Sequence, residues 1–93
     1  MFVGSLRLKL LINGSRTLKD KRQVVRSILD TVRSRRNVAA AEVGSLDNTS
    51  VAELGFATVN GQMNKVRESM DWIVNFIQDN YDLEILEQEI TVY

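Results

Sequence analysis

Histidine, cysteine and proline are all absent from this chain of 93 residues. Without His or Cys there is no imidazole base, thiol nucleophile, disulfide or Cys/His zinc site. Without Pro, no X–Pro bond can act as a slow conformational switch. Aromatic residues are few: one Trp, two Tyr and three Phe. No apolar run approaches the roughly 20 residues that span a bilayer. The stretch from Met1 to Ile12 looks apolar, but Arg7 and Lys9 interrupt it. It also lacks the basic start and small-residue cleavage site of a signal peptide, so a cytoplasmic location is the expectation. Formal net charge is +0. What remains is an ordinary globular composition, 44% hydrophobic and 26% charged, sized for a single domain over residues 1–93.

Hydrophobic periodicity divides the chain into six elements. Phe2, Gly4, Leu6, Leu8, Leu10 and Ile12 alternate along one face of a strand. The turn Asn13 to Arg16 breaks it. Thr17 is a good helix N-cap, with Asp20 three residues on as a shortened capping box. Leu18, Val24, Val25, Ile28, Leu29 and Val32 share one broad helical face. This helix is expected to end near Arg35, with Asn37 as a left-handed terminator. Asn37 to Ser45 reads as a short strand of small residues, Leu46 to Ser50 as a polar turn, and Val51 to Asn60 as a central strand. Met63, Val66, Met70, Ile73, Val74 and Ile77 mark a second amphipathic helix over residues 62–79. Asp82 to Tyr93 is the last strand, with a bulge expected where Ile85 and Leu86 break the alternation.

Strand, helix, strand, strand, helix, strand is the ferredoxin-like βαββαβ arrangement, an α+β class. Right-handed crossovers put the first and third strands in the middle of a four-stranded antiparallel sheet. Both helices then cover one face and leave the other open.

The neutral total hides a segregation of charge. Residues 1–36 hold ten basic residues against Asp20 and Asp30; residues 37–93 hold Lys65 and Arg67 against ten acids. Lys19, Arg22, Arg26 and Arg33 fall within a narrow arc of the first helix, beside its apolar face. Two readings of this stripe stand: a solvated helix face, and a surface that tracks nucleic-acid phosphates. Arg16 flanks the helix start, where Gly14, Ser15 and free backbone N–H groups offer a weak phosphate cradle. Lys21 points into the apolar arc, so it must snorkel out or meet a carboxylate, with Glu42 the candidate partner. Arg7 and Lys9 share a sheet with Glu53, Glu87 and Glu89, and cross-strand pairing would absorb them.

Trp72 and Phe76 lie four residues apart, off the apolar stripe of the second helix. They read either as a partner or oligomer surface or as aromatics covered by a neighbouring segment. No pair of carboxylates defines a catalytic cleft, so no enzymatic activity, cofactor or metal is expected. The paired aromatics of an RNA-recognition motif are also missing; Phe56 stands alone in the third strand.

Several segments together resemble a known family. They are Val3, Gly4 and Leu6, the block Thr17 to Arg22, Asn37 and Val38 with Ala41 to Val43, Leu54 to Ala57, and Val59 with Asn60. The chain is similar over nearly its whole length to the YlxP-like family, small bacterial proteins also classed as a domain of unknown function. The resemblance implies a ferredoxin-like sandwich. It also implies a role near the ribosome or its RNA, because genes of such proteins often sit among those for transcription elongation, translation initiation and ribosome maturation. It assigns no active-site residue. The chain departs from the family in having Thr17 where Ser is usual and Arg36 where an apolar or aromatic residue is usual.

The resulting expectation is a non-catalytic RNA- or ribosome-associated protein. Its phosphate contacts would be Arg16, Lys19, Lys21, Arg22, Arg26 and Arg33. The alternative is a protein-interaction module, a homodimer formed through the open sheet face or the Trp72 and Phe76 surface.

Overall fold

The computed structural model describes all residues, 1–93. Six elements follow in chain order: β1 (Phe2–Ile12), α1 (Leu18–Arg35), β2 (Ala39–Gly44), β3 (Val51–Asn60), α2 (Met63–Asn80) and β4 (Leu83–Val92). The strands form one antiparallel sheet in the order β2-β3-β1-β4, with β1 and β3 central. This is the expected ferredoxin-like α+β sandwich.

Period-two patterning decides which face is covered. Leu6, Leu8, Leu10 and Ile12 of β1 and Ala52, Leu54 and Phe56 of β3 are buried beneath the helices. Val25, Ile28, Leu29 and Val32 of α1 meet them, with Met70, Ile73, Val74 and Ile77 of α2. Burying one such side chain contributes about 1.5–3 kcal/mol, so this layer dominates the folding free energy. Gly4 lies where α2 crosses β1: a Cβ there would run into Val66 and touch Met70. Close approach of helix to sheet requires glycine at that point.

The helix ends follow local chemistry. Thr17 Oγ1 accepts from the Asp20 N–H at 3.1 Å, and Asp20 Oδ2 accepts from the Arg16 N–H at 3.2 Å. One orphan donor of the helix and the N–H of the residue before its cap are thereby satisfied. The C-terminus differs from expectation. Arg36 turns extended (φ −134°) while its N–H donates to the Val32 carbonyl, and Asn37 is not left-handed. The chain passes straight from the last helical turn toward β2, so no left-handed residue is needed.

Two bulges set the sheet register. The expected one is present: Lys9 pairs with Glu87 and Leu10 with Ile85, leaving Leu86 as the extra residue. The second lies in β2, where Glu42 pairs with Leu54 and Gly44 with Glu53, leaving Val43 unpaired. Ser45 follows with φ 52°, the only non-glycine residue at positive φ. A strand of alanines carries no alternation to break, so this bulge left no trace in the hydrophobic pattern. A Cβ on Gly44 beside it would meet the Glu53 carboxylate, the movable end of a flexible side chain.

Candidate functional site

Lys21 is the first correction. It is fully buried and does not snorkel. Its Nζ donates to the carbonyls of Ser45 at 2.8 Å and Val51 at 3.1 Å, and lies 3.4 Å from that of Leu46. Glu42 Oε2 sits 3.1 Å away as an ion pair. That oxygen is sealed from solvent and accepts no well-aligned hydrogen bond, so Coulomb attraction carries the contact. One ammonium thus clamps the β2–β3 turn to the start of α1. Lys21 has no free donor to offer a phosphate and leaves the binding set.

The other five basic candidates are exposed. Arg16 sits in the turn before α1, and Lys19, Arg22, Arg26 and Arg33 project from the helix. Arg33 is partly engaged: Nη1 is 3.3 Å from Asp30, and Nη2 donates to the Ala40 carbonyl on edge strand β2. Arg16, Lys19, Arg22 and Arg26 have no carboxylate within 4.0 Å.

A groove of about 420 Å³ runs between α1 and β2. Arg22, Arg26, Asp30 and Arg33 line one wall, Val25 and Leu29 the floor, and Glu42 the opposite wall. Sequence reasoning marked Glu42 only as a partner for Lys21. Its signal was available: it is the one charged residue in β2, a strand otherwise built of small or apolar side chains.

The aromatic pair needs a second correction. Trp72 and Phe76 stack at 5.1 Å, nearly parallel, and pack against the core. Arg36 lies 4.7 Å above the Trp72 ring and Arg35 5.5 Å above Phe76. Tyr81 meets Phe76 edge-on and shares a 2.7 Å hydroxyl hydrogen bond with Ser27. The pair is half-buried and joins α2 to the end of α1, instead of lying open as a partner patch. Cation–π contact occupies the two terminal arginines. It also gives Arg36 a role where the YlxP-like pattern has an apolar residue.

On the open face, Arg7 meets three acids: Glu53 at 2.8 Å, Glu87 at 2.8 Å and Glu89 at 3.0 Å. The hydrogen bonds to Glu89 and Glu87 push the guanidinium's pKa further up. Glu89 is pushed down by Arg7, and Glu53 by the Ser45 hydroxyl first and Arg7 second. Cross-strand pairing therefore absorbs Arg7 but not Lys9, which sits opposite Glu53 and Glu87 with no carboxylate within 4.0 Å because both acids turn to Arg7. Beside it lies a shallow groove of about 420 Å³ floored by small residues, Ala39, Ala41, Gly55 and Ala57, with Val43 at its rim. No three Asp or Glu residues gather in a metal-ligating group. No helix is long and apolar enough to cross a membrane.

Order, topology and layering define a ferredoxin-like α/β sandwich. A solved de novo designed protein with ferredoxin fold matches all of this chain and 84% of its own, with TM-score 0.60 and 14% identity. A crystal structure from Arabidopsis thaliana matches 98% of this chain and 92% of its own, with TM-score 0.51 and 10% identity. At such identities both likenesses speak for the fold alone. The family described as "Protein of unknown function (DUF503)" matches residues 3–90, and the chain belongs to it. The uncharacterized protein YlxP of Bacillus subtilis (strain 168) is 26% identical over 82 residues, 88% of this chain and 89% of that protein.

Proposed function

We propose that this protein is a non-catalytic RNA-binding protein that acts at the ribosome through the exposed side of α1. One observation carries the reading. Of the twelve Lys and Arg residues, only six have neither a carboxylate within 4.0 Å nor an aromatic ring beneath them. Four of those six, Arg16, Lys19, Arg22 and Arg26, stand together at the start and first half of α1. Elsewhere only Lys9 and Arg67, far apart in the chain, are left without such a partner. Unpaired cations in a row suit a phosphate backbone, each contact releasing counterions. Arg33 extends the row, held in place by Asp30 and Ala40. The separation of charge along the chain supports the same reading, since a polyanion is drawn to one pole of the molecule.

The experiment is binding to isolated ribosomal subunits across a salt series, with an unrelated structured RNA as control. Saturable binding that prefers one subunit and weakens steeply with salt is the expected result. The double variant Arg22→Glu/Arg26→Glu binds much more weakly while its circular dichroism is unchanged. No binding at low salt, or unchanged affinity in the folded double variant, overturns the reading.

A second reading rests on the open face. Val43, at the rim of the small-residue groove, and Val59, in the adjoining hollow beside Val3, are about half exposed. A protein partner, or a second copy of the chain, would cover them. Concentration-dependent mass with no affinity for RNA favours this reading over the first.

A further inference from the structure

We infer that the groove between α1 and β2 reads one unpaired guanine of a single-stranded RNA, with Glu42 as the residue that contacts the base. The inference rests on the RNA-binding reading and adds to it a source of sequence preference, which phosphate contacts alone do not supply.

Charge within the groove is the first argument. It holds two acids, and each already has a cation: Glu42 has Lys21 and Asp30 has Arg33. Arg22 and Arg26 are left over, so the groove keeps a positive excess beside its carboxylates. Neither arginine comes within 4.0 Å of Glu42. The space between them is open, and its volume of about 420 Å³ falls within the roughly 300–1,000 Å³ typical of small-ligand sites. The floor, Val25 and Leu29, is apolar and suits the face of a base. The arginine wall suits both stacking on the opposite face and the flanking phosphates.

The second argument concerns the edge of the base. Glu42 Oε2 is sealed beside Lys21, so the accessible part of the carboxylate is what lines the groove. A carboxylate accepts hydrogen bonds and donates none. Guanine alone among the four RNA bases places two donors, N1–H and the N2 amine, side by side on its Watson–Crick edge. Adenine and cytosine set a donor next to an acceptor, and uracil flanks its one donor with two carbonyls. The one accessible oxygen has two lone pairs, so it can accept from both donors of guanine but from only one on adenine, cytosine or uracil, and guanine is favoured by that extra hydrogen bond. Lys21 acts behind Glu42 as a positioning residue, fixing the carboxylate by ion pair and the adjoining turn by carbonyl contacts.

The test is fluorescence anisotropy with eight-nucleotide RNAs, all uridine except for the central base. Guanosine at the centre binds about tenfold more tightly than adenosine, cytidine or uridine, the scale of one good paired base contact. Inosine, which lacks the N2 amine, loses part of that advantage, and 1-methylguanosine loses nearly all of it. These changes are made on the RNA and leave the fold untouched. In Glu42→Gln, checked for folding by circular dichroism, the guanine preference disappears while salt-sensitive binding remains. Equal binding of all central bases overturns the guanine site and leaves the phosphate-binding reading standing. A guanine preference that survives in folded Glu42→Gln overturns the role of Glu42. No binding of any RNA at low salt overturns both readings together.

Discussion

Lys21→Met removes a buried ammonium and keeps most of its aliphatic stem. The stem's packing is retained, so the change isolates polar energetics. Three contacts of 3.1 Å or less are lost: the carbonyls of Ser45 and Val51 and the carboxylate of Glu42. Removing one member of a buried ion pair costs about 3–5 kcal/mol, because the partner is left charged and unpaired. Glu42 retains some exposure, its side chain being 19% accessible, so water can reach part of it. That argues for the lower end, about 3 kcal/mol. For a domain whose total stability is about 5–15 kcal/mol the loss is large. In urea, with a slope of about 1 kcal/mol/M for a small chain, the midpoint falls by about 3 M. Lys21→Met/Glu42→Leu, which also discharges the partner, recovers about half of the loss. At 10 °C, where the single variant still folds, its affinity for an all-uridine RNA matches wild type, because Lys21 offers nothing to phosphate. A midpoint shift below about 0.5 M, equivalent to about 0.5 kcal/mol on that slope, refutes the clamp. So does a double variant no more stable than the single one.

Three further outcomes follow from the same contacts. Four free cations on a single strand give a slope of log affinity against log salt of about −3, which falls to about −1.4 in Arg22→Gln/Arg26→Gln; titration of an RNA oligomer between 50 and 200 mM salt, roughly the range over which such effects are read, checks both values. Asp20, Glu53 and Glu89 are held below their ordinary values of 3.8, 4.5 and 4.5, so each stabilises the fold above that value and loses its contribution as pH falls through the lowered one. With no His in the chain, thermal midpoints are therefore flat from about pH 5 to 8 and drop only below about pH 4. Gly4→Ala drives a methyl into Val66, a stiff β-branched neighbour, and costs about 2 kcal/mol by urea unfolding, whereas Gly61→Ala, with open space around it, changes stability by less than about 0.5 kcal/mol.

How far the sequence disclosed this molecule depended on whether a residue's partner is local. The six-fold alternation of β1 and the apolar stripe of α2 are periodic signals, and both elements form as read. The bulge at Leu86 was legible because two adjacent apolar residues break a period of two. The bulge at Val43 was silent because its neighbours are alanines. Lys21 was misread for a different reason. Its position in the apolar arc and its partner Glu42 were legible, but its full burial is set by carbonyls 24 to 30 residues away, on a turn whose path no periodicity encodes. Trp72 shows the same limit. Its angle on α2 was right, yet Arg36 from the far end of α1 covers its ring. The groove wall at Glu42 lies across elements, so its place opposite Arg22 and Arg26 emerges only once α1 is laid over β2.

The topology turns a sequential division of charge into a spatial one. Sheet order β2-β3-β1-β4 sets basic β1 beside acidic β4, but α1 lies toward the β2 edge and α2 packs over β1, β3 and β4. The unpaired cations lie on the α1 flank, while β4 carries Glu84, Glu87 and Glu89, and Asp71, Asp79 and Asp82 lie on or just after α2. A polyanion is therefore attracted at one flank and repelled at the other, which orients the encounter before any contact forms. The same dipole draws the basic flank of one copy toward the acidic flank of the next. Such a head-to-tail contact is heterologous and continues into an open chain unless its rotation closes a ring. RNA bound on α1 as proposed would compete with that contact for the same arginines. On the RNA-binding reading proposed above, the two tendencies would be coupled: occupancy of α1 by RNA would suppress self-association, and crowding at low salt without RNA would favour it. Because both effects would draw on Arg22 and Arg26, the double variant Arg22→Gln/Arg26→Gln would weaken both, while a two-fold dimer through the open sheet face would be unaffected by it.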